Sequence, residues 1–150
     1  MKTRRKLLIV EDNPSDLALA RRVLARKNIV DDLAVAEDGQ EALEYLHGNG
    51  VSAGCEASEL PIVMLLDLKL PKIRGLEVLR RIRANENTKR IPVVILTSSK
   101  EQTDIAAAYD LGANSFIQKP IDSGQFSDTI ERVGSYWLGL NEPPAATQLG

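Results

Sequence analysis

The stretch Ile62-Val63-Met64-Leu65-Leu66-Asp67 constrains the chain more than any other. Five consecutive apolar residues, set between Pro61 and a carboxylate, leave no polar face, and so short a run reads as a β-strand buried on both sides. Such strands belong to parallel sheets covered by helices on each face. Asp67 stands where the strand ends. In open parallel α/β sheets ligands bind outside the carboxyl ends of the strands, which makes Asp67 a site candidate. An Asp ahead of the Pro71 turn is also ordinary chain punctuation, and its position alone leaves both readings open.

The rest of the chain repeats this grammar. Leu7 to Val10 is a second apolar strand, closed by Glu11-Asp12. Asn13, Pro14 and Asp16 then suit the cap, first position and first turn of a helix, with Leu17, Ala20 and Leu24 inward and Arg21, Arg22 and Arg26 outward, ending near Asn28. Asp32 to Ala36 is a weaker strand, and Glu37-Asp38-Gly39 turns into a helix carrying Ala42, Leu43 and Leu46. From Gly48 to Leu60 periodicity disappears, so a long surface loop is expected. After the central strand, Pro71 to Gly75 leads into a helix with Leu76, Leu79 and Ile82 inward and Arg80, Arg81 and Arg83 outward. Ile91 to Leu96 is a strand ending at Thr97, Glu101 to Leu111 a helix stopped by Gly112, and Ser115 to Gln118 a last strand before Lys119-Pro120 and a helix from about Asp122. Five strands alternating with five helices predict a doubly wound parallel α/β sheet with right-handed crossovers.

With 150 residues one domain is expected, over 1–140, followed by a short flexible tail at 141–150. A net charge of -2 supplies no basic field for nucleic acid or an anionic membrane. The single cysteine, Cys55, excludes an internal disulfide framework and a multi-cysteine metal site, and reads as an incidental loop thiol in a reducing compartment. The basic start Met1 to Lys6 is followed by too short an apolar run for a signal peptide, and no segment is long enough to span a bilayer, so a cytoplasmic protein is expected.

In a doubly wound sheet the strand ends share one rim. Glu11, Asp12, Asp67, Thr97 and Lys119 therefore meet, placing three carboxylates, a hydroxyl and an ammonium together. Carboxylates about 4 Å apart repel by roughly 4 kcal/mol at an effective dielectric of 20, so the rim needs compensation. A hard divalent cation is the natural partner, and Mg2+ takes few carboxylates while often completing its shell with a phosphoryl oxygen.

The ordered motifs Ile9-Val10-Glu11-Asp12-Asn13, Leu65-Leu66-Asp67-Leu68-Lys69-Leu70-Pro71 with Gly75, Val94-Ile95-Leu96-Thr97, and Gly112 through Lys119-Pro120 resemble the receiver domain of two-component response regulators over about residues 6 to 135. The resemblance implies the flavodoxin-like receiver fold with strand order 2-1-3-4-5, and a signalling module rather than an enzyme. Asp67 would accept a phosphoryl group from a histidine kinase. Glu11, Asp12, the Asp67 carboxylate and the backbone carbonyl of Lys69 would hold Mg2+. Thr97 and Lys119 would contact phosphoryl oxygens, Phe116 would turn inward as Thr97 moves, and a cis bond before Pro120 would aim the lysine. Two departures stand out: Glu11 occupies a position where the family most often has Asp, and Arg74 precedes Gly75 where an acid is common.

Phe126, Ile130, Val133 and Trp137 form one helical stripe, read as core-facing. Tyr136, Leu138 and Leu140 flank Trp137, leaving this end apolar nearly all round and expected to be buried against a partner. Together with the long loop and the Asp-Leu-X-Leu-Pro motif, this ending resembles the single-domain regulators of cyanobacterial and bacterial phytochrome kinases, which implies a homodimer through Tyr136, Trp137 and Leu138. Other readings are weaker. An aspartyl-phosphate hydrolase would resemble Asp-x-Asp on the first strand, and Asp67-Leu68-Lys69 lacks the second acid. A dinucleotide enzyme wants Gly-x-Gly-x-x-Gly where Glu11-Asp12 stands. A docking module that works without phosphorylation is the remaining alternative.

Overall fold

The computed structural model describes residues 5–48 and 60–144. Cys55 and most of the long loop before the central strand lie outside them, as does the tail beyond residue 144. Five strands form one parallel sheet: β1 (Lys6–Val10), β2 (Asp32–Ala36), β3 (Val63–Leu66), β4 (Val93–Thr97) and β5 (Ser115–Gln118). Their order is β2-β1-β3-β4-β5, with the central β3 between β1 and β4. The helices are α1 (Pro14–Arg26), α2 (Gly39–His47), α3 (Gly75–Ala84), α4 (Gln102–Asp110) and α5 (Ser123–Ser135), and a π-helical turn, Tyr136–Leu140, continues α5.

The continuous apolar runs of β1, β3 and β4 are explained by two cores, one on each face. Leu8, Val10, Met64, Leu66, Val93 and Ile95 point to the side covered by Ala42, Leu43 and Leu46 of α2, Val78, Leu79 and Ile82 of α3, and Ala108 of α4. The alternate residues Leu7, Ile9, Val63, Leu65, Val94 and Leu96 pack under α1 and α5. Strict period-two alternation of facing thus hides behind an unbroken hydrophobic sequence.

Local chemistry fixes the helix starts. The Asn13 side chain accepts from the amides of Ser15 and Asp16, and the Asp38 side chain from Glu41, so α1 and α2 begin where the cap residues stand. Among the described residues, no helix is long and apolar enough to cross a membrane.

Three expectations need correction. Arg83, expected outward, turns back: its guanidinium donates to the carbonyl oxygens of Gly112, Lys89 and Ile91 and to the Asn114 side chain. Leu138, expected at an intermolecular contact, is 5% exposed and belongs to the core under α1 and α5, whereas Trp137 is only half-buried. The π-turn is the reason. Its Asn141 amide bonds to the Tyr136 carbonyl, five residues back, which adds one residue to the turn and passes the buried position from Trp137 to Leu138. Finally, every described peptide bond is trans, including that before Pro120.

Candidate functional site

The sheet ladder itself delivers the site. One residue beyond each strand, the amide of Glu11 bonds to the Ala36 carbonyl, that of Asp67 to Val10 and that of Lys119 to Thr97, at 2.9, 3.1 and 2.7 Å. Backbone pairing therefore reaches into the carboxyl rim and fixes the origin of each functional side chain. The Lys119–Thr97 bond, rather than a cis bond at Pro120, sets the lysine in place. Gly75 and Gly39 hold the loop after Asp67 from either side. A Cβ on Gly75 would lie 2.3 Å from the Asp67 carbonyl oxygen, and one on Gly39 would lie 2.0 Å from that of Ile73. Glycine is the residue that permits such backbone approach.

On this frame Glu11, Asp12 and Asp67 gather so that one carboxylate oxygen from each lies within 4.8 Å of the others. Glu11 and Asp67 are buried, and Asp12 is exposed at the mouth. Lys119 closes the cluster from the β5 side. Its ammonium stands 2.7 Å from Glu11, 2.8 Å from Asp16 and 3.2 Å from Asp67. The amide of Lys69 donates to Asp67 Oδ1 at 3.1 Å while Lys119 Nζ meets Oδ2, so the two oxygens of Asp67 are addressed separately. Thr97 is fully buried, and its hydroxyl oxygen accepts from the Ser99 amide at 3.4 Å. Phe116 lies opposite Ile95 on the edge strand, half-buried against the core that contains β4.

Four carboxylates against one ammonium leave the rim short of positive charge. Burial pushes the Glu11 carboxyl up to about 7; the hydrogen bond from Lys119 pulls it down, and the nearby Asp67 charge adds to the rise. Burial acts on Lys119 in the opposite sense for a cation, yet its hydrogen bonds to Asp16 and Glu11 outweigh that cost and hold it above its ordinary value. A hard divalent cation fits this donor set. The cluster is all oxygen, three acids converge, and the exposed Asp12 side leaves room for water in the shell. Beside it a cavity of about 510 Å3 opens, lined by Asp12, Leu68, Lys69, Arg74, Leu76 and Asp104 among others.

The residues anticipated from sequence thus come together: Glu11, Asp12, Asp67, Thr97 and Lys119 share one rim. Asp16 was missed as a member. It reads as a first-turn acid favoured by the helix dipole, and it is that as well. Nothing local in the sequence marks its reach to Lys119, 103 positions away.

Fold and site define a doubly wound α/β domain with a buried acid cluster and a lysine at its carboxyl rim. Residues 7–131 match the response regulator receiver domain, and the chain belongs to that family. It is 38% identical over 141 residues to the probable methanogenesis regulatory protein FilR2 of Methanothrix harundinacea, across 92% of this chain and 86% of that one. Response regulator Rcp1 of Synechocystis is 37% identical over 140 residues, 93% of each chain, and a Mn2+-bound form of Rcp1 superposes with a TM-score of 0.85 over 94% of this chain and 99% of that one. The phosphorylated cyanobacterial phytochrome response regulator RcpA superposes with a TM-score of 0.87 at 35% identity, covering 95% of this chain and 99% of that one. The chain is therefore a two-component signalling module.

Proposed function

We propose that Asp67 is the phosphoacceptor of this receiver and that the phosphoryl group comes from a phytochrome-type histidine kinase. The observation that carries the reading is the convergence of Glu11, Asp12 and Lys119 on the one buried carboxylate of Asp67 at the end of the central strand. An Asp67 oxygen attacks phosphorus in line with the phosphohistidine nitrogen. The O–P bond forms as the N–P bond breaks, its electron pair stays on the ring nitrogen, and the ring, already protonated on its other nitrogen, leaves as neutral imidazole. Glu11, Asp12, Asp67 and the Lys69 carbonyl would hold Mg2+ or Mn2+, and the cation would supply charge neutralisation for the phosphoryl oxygens. Lys119 donates to a second phosphoryl oxygen and Thr97 to a third. Drawing the Thr97 hydroxyl inward abandons the Ser99 amide and opens space into which Phe116 turns, a local electrostatic event with a distant readout.

The likeness to phytochrome response regulators supports the choice of kinase. At the end of α5, Tyr136 is 45% and Leu140 75% exposed, and the half-buried Trp137 stacks edge-on against Tyr136 at 5.1 Å. We infer a homodimer through these residues, with Leu138 serving the chain's own core instead.

Transfer from a radiolabelled phytochrome kinase tests the reading. Label passes to the wild-type chain and not to Asp67→Asn, and sizing of both forms reports the dimer. Retention of all label on the kinase would contradict the pairing. A monomer at every concentration, with or without phosphoryl donor, would contradict the interface.

A further inference from the structure

Lys119 has three N–H donors, and each faces a carboxylate: Glu11 at 2.7 Å, Asp16 at 2.8 Å and Asp67 at 3.2 Å. The longest of these is to Asp67, so the ammonium leans toward α1 and away from the residue it is to serve. The three acids differ in what else they can do. Glu11 and Asp67 belong to the cluster that converges on one point with Asp12, and Asp16 lies outside it. A cation bound there competes for Glu11, which leaves Asp16 as the acid engaged with the lysine alone. Asp16 is also well anchored. It sits in the first turn of α1, its amide bonds to the Asn13 side chain at 3.1 Å, and its carboxylate is 22% exposed against 12% for Lys119.

We propose that Asp16 is a positioning residue for phosphotransfer: in the resting chain its carboxylate holds the Lys119 ammonium back from the phosphoryl position, and it yields the lysine when Asp67 is phosphorylated. The inference rests on the reading of Asp67 as phosphoacceptor and adds a resting-state lock to it. Once a cation draws on Glu11 and Asp67, Asp16 is the acid that still holds the ammonium toward α1, and a phosphoryl oxygen on Asp67 must pull the ammonium away from it. Loosening the Asp16 contact is therefore part of the barrier to phosphorylation. Its carboxylate also adds negative charge next to the point where a phosphodonor anion arrives.

The test compares wild type, Asp16→Asn and Asp16→Glu at saturating Mg2+ with acetyl phosphate as donor. Removing a contact of this kind raises the initial rate of Asp67 phosphorylation about two- to fivefold in Asp16→Asn. Asp16→Glu, which keeps the carboxylate, returns the rate toward wild type. A second readout needs no phosphorylation. In lysine-15N-labelled protein with chelator, the Lys119 ammonium gives a signal protected from exchange, assigned by its absence in Lys119→Met, and in Asp16→Asn that signal exchanges faster, although Glu11 and Asp67 still hold the ammonium. A merely structural Asp16 would lower stability without raising the rate. Phosphorylation of Asp16→Asn no faster than wild type, or an ammonium equally protected in both, overturns the proposal alone. A wild-type chain that takes up no phosphoryl group overturns the reading of Asp67 and this proposal with it.

Discussion

Lys119 and Arg83 sit at opposite rims of the same sheet, and each is a cation drawn largely out of water. Arg83 lies at the amino ends of β4 and β5 and donates to neutral oxygens only, the carbonyls of Lys89, Ile91 and Gly112 and the Asn114 side chain. Asn114 in turn accepts from the Val93 amide, so the guanidinium ties the entry to β4 to the turn before β5. Lys119 lies at the carboxyl ends and, among the described residues, faces carboxylates only. The planar guanidinium matches a fixed set of acceptors and locks them. The ammonium is a point charge among too many acids and can be redistributed among them. Burial lowers the Arg83 pKa, whereas the acids around Lys119 raise that of the lysine against the cost of burial. One rim is a joint, and the other is a device.

That contrast breaks if the two cations respond alike to removal. Arg83→Met leaves several backbone carbonyls without donors and is expected to cost about 2–4 kcal/mol in urea unfolding, with the phosphorylation rate of the folded protein unchanged. Lys119→Met acts in the reverse pattern. It removes the positive charge that competes with a divalent cation and is expected to tighten Mg2+ binding about tenfold by calorimetry, while slowing Asp67 phosphorylation. A large stability loss from both variants with equal Mg2+ affinity would erase the distinction.

Gly75→Ala sharpens the picture from the backbone side. Its Cβ would meet the Asp67 carbonyl and Leu68 Cα at 2.3 and 2.6 Å, both backbone atoms with nowhere to go. The expected cost is about 1–3 kcal/mol, together with slower phosphorylation, because the displaced loop carries Asp67 itself.

Proton linkage gives a smaller effect at the functional rim. Glu11 has a folded-state pKa raised to about 7, so without a cation it holds its proton at pH values where an unfolded Glu does not. Its contribution to stability in chelator is therefore present in acid and lost as pH rises through about 7. A cation must displace that proton. Mg2+ affinity is expected to climb between pH 6 and 7.5 with proton release, and Glu11→Gln to abolish both dependences. Affinity independent of pH in the wild type would contradict the assignment of Glu11 as a ligand.

The smallest effect expected is at His47, the last residue of α2. Its Nε2 lies 3.0 Å from the Thr88 hydroxyl, which itself donates to the Ile82 carbonyl, so Nε2 carries the proton. Burial lowers the His47 pKa, so its contribution to stability is present above the unfolded value of 6.5 and fades as pH falls below it. His47→Gln should flatten that part of the pH profile in thermal unfolding.

How much of this was legible in the sequence follows from the range of each interaction. Strand identity, sheet class and the rim acids were readable because they depend on runs of apolar residues and on where a run stops. Asp16 and Arg83 were not, because each acts at a distance of many residues. Asp16 meets a lysine 103 positions away, and Arg83 a carbonyl 29 away, contacts that helical spacing does not encode. On α3 the turn-by-turn pattern marks Arg83 as flanking the buried face, yet the length of its side chain lets the charged end reach back to the sheet. Trp137 and Leu138 exchange places for a different reason. The 3.6-residue period holds through Val133 and fails at the π-turn, where one added residue rotates everything beyond it.

The proposed phosphorylation of Asp67 depends on a bound cation. The most direct test is intact mass after incubation with acetyl phosphate and Mg2+, beside Asp67→Asn and beside wild type in chelator. Gain of one phosphoryl group is expected in the wild type and none in either control. A folded wild-type chain that gains nothing, or an Asp67→Asn chain that gains as much, would contradict it.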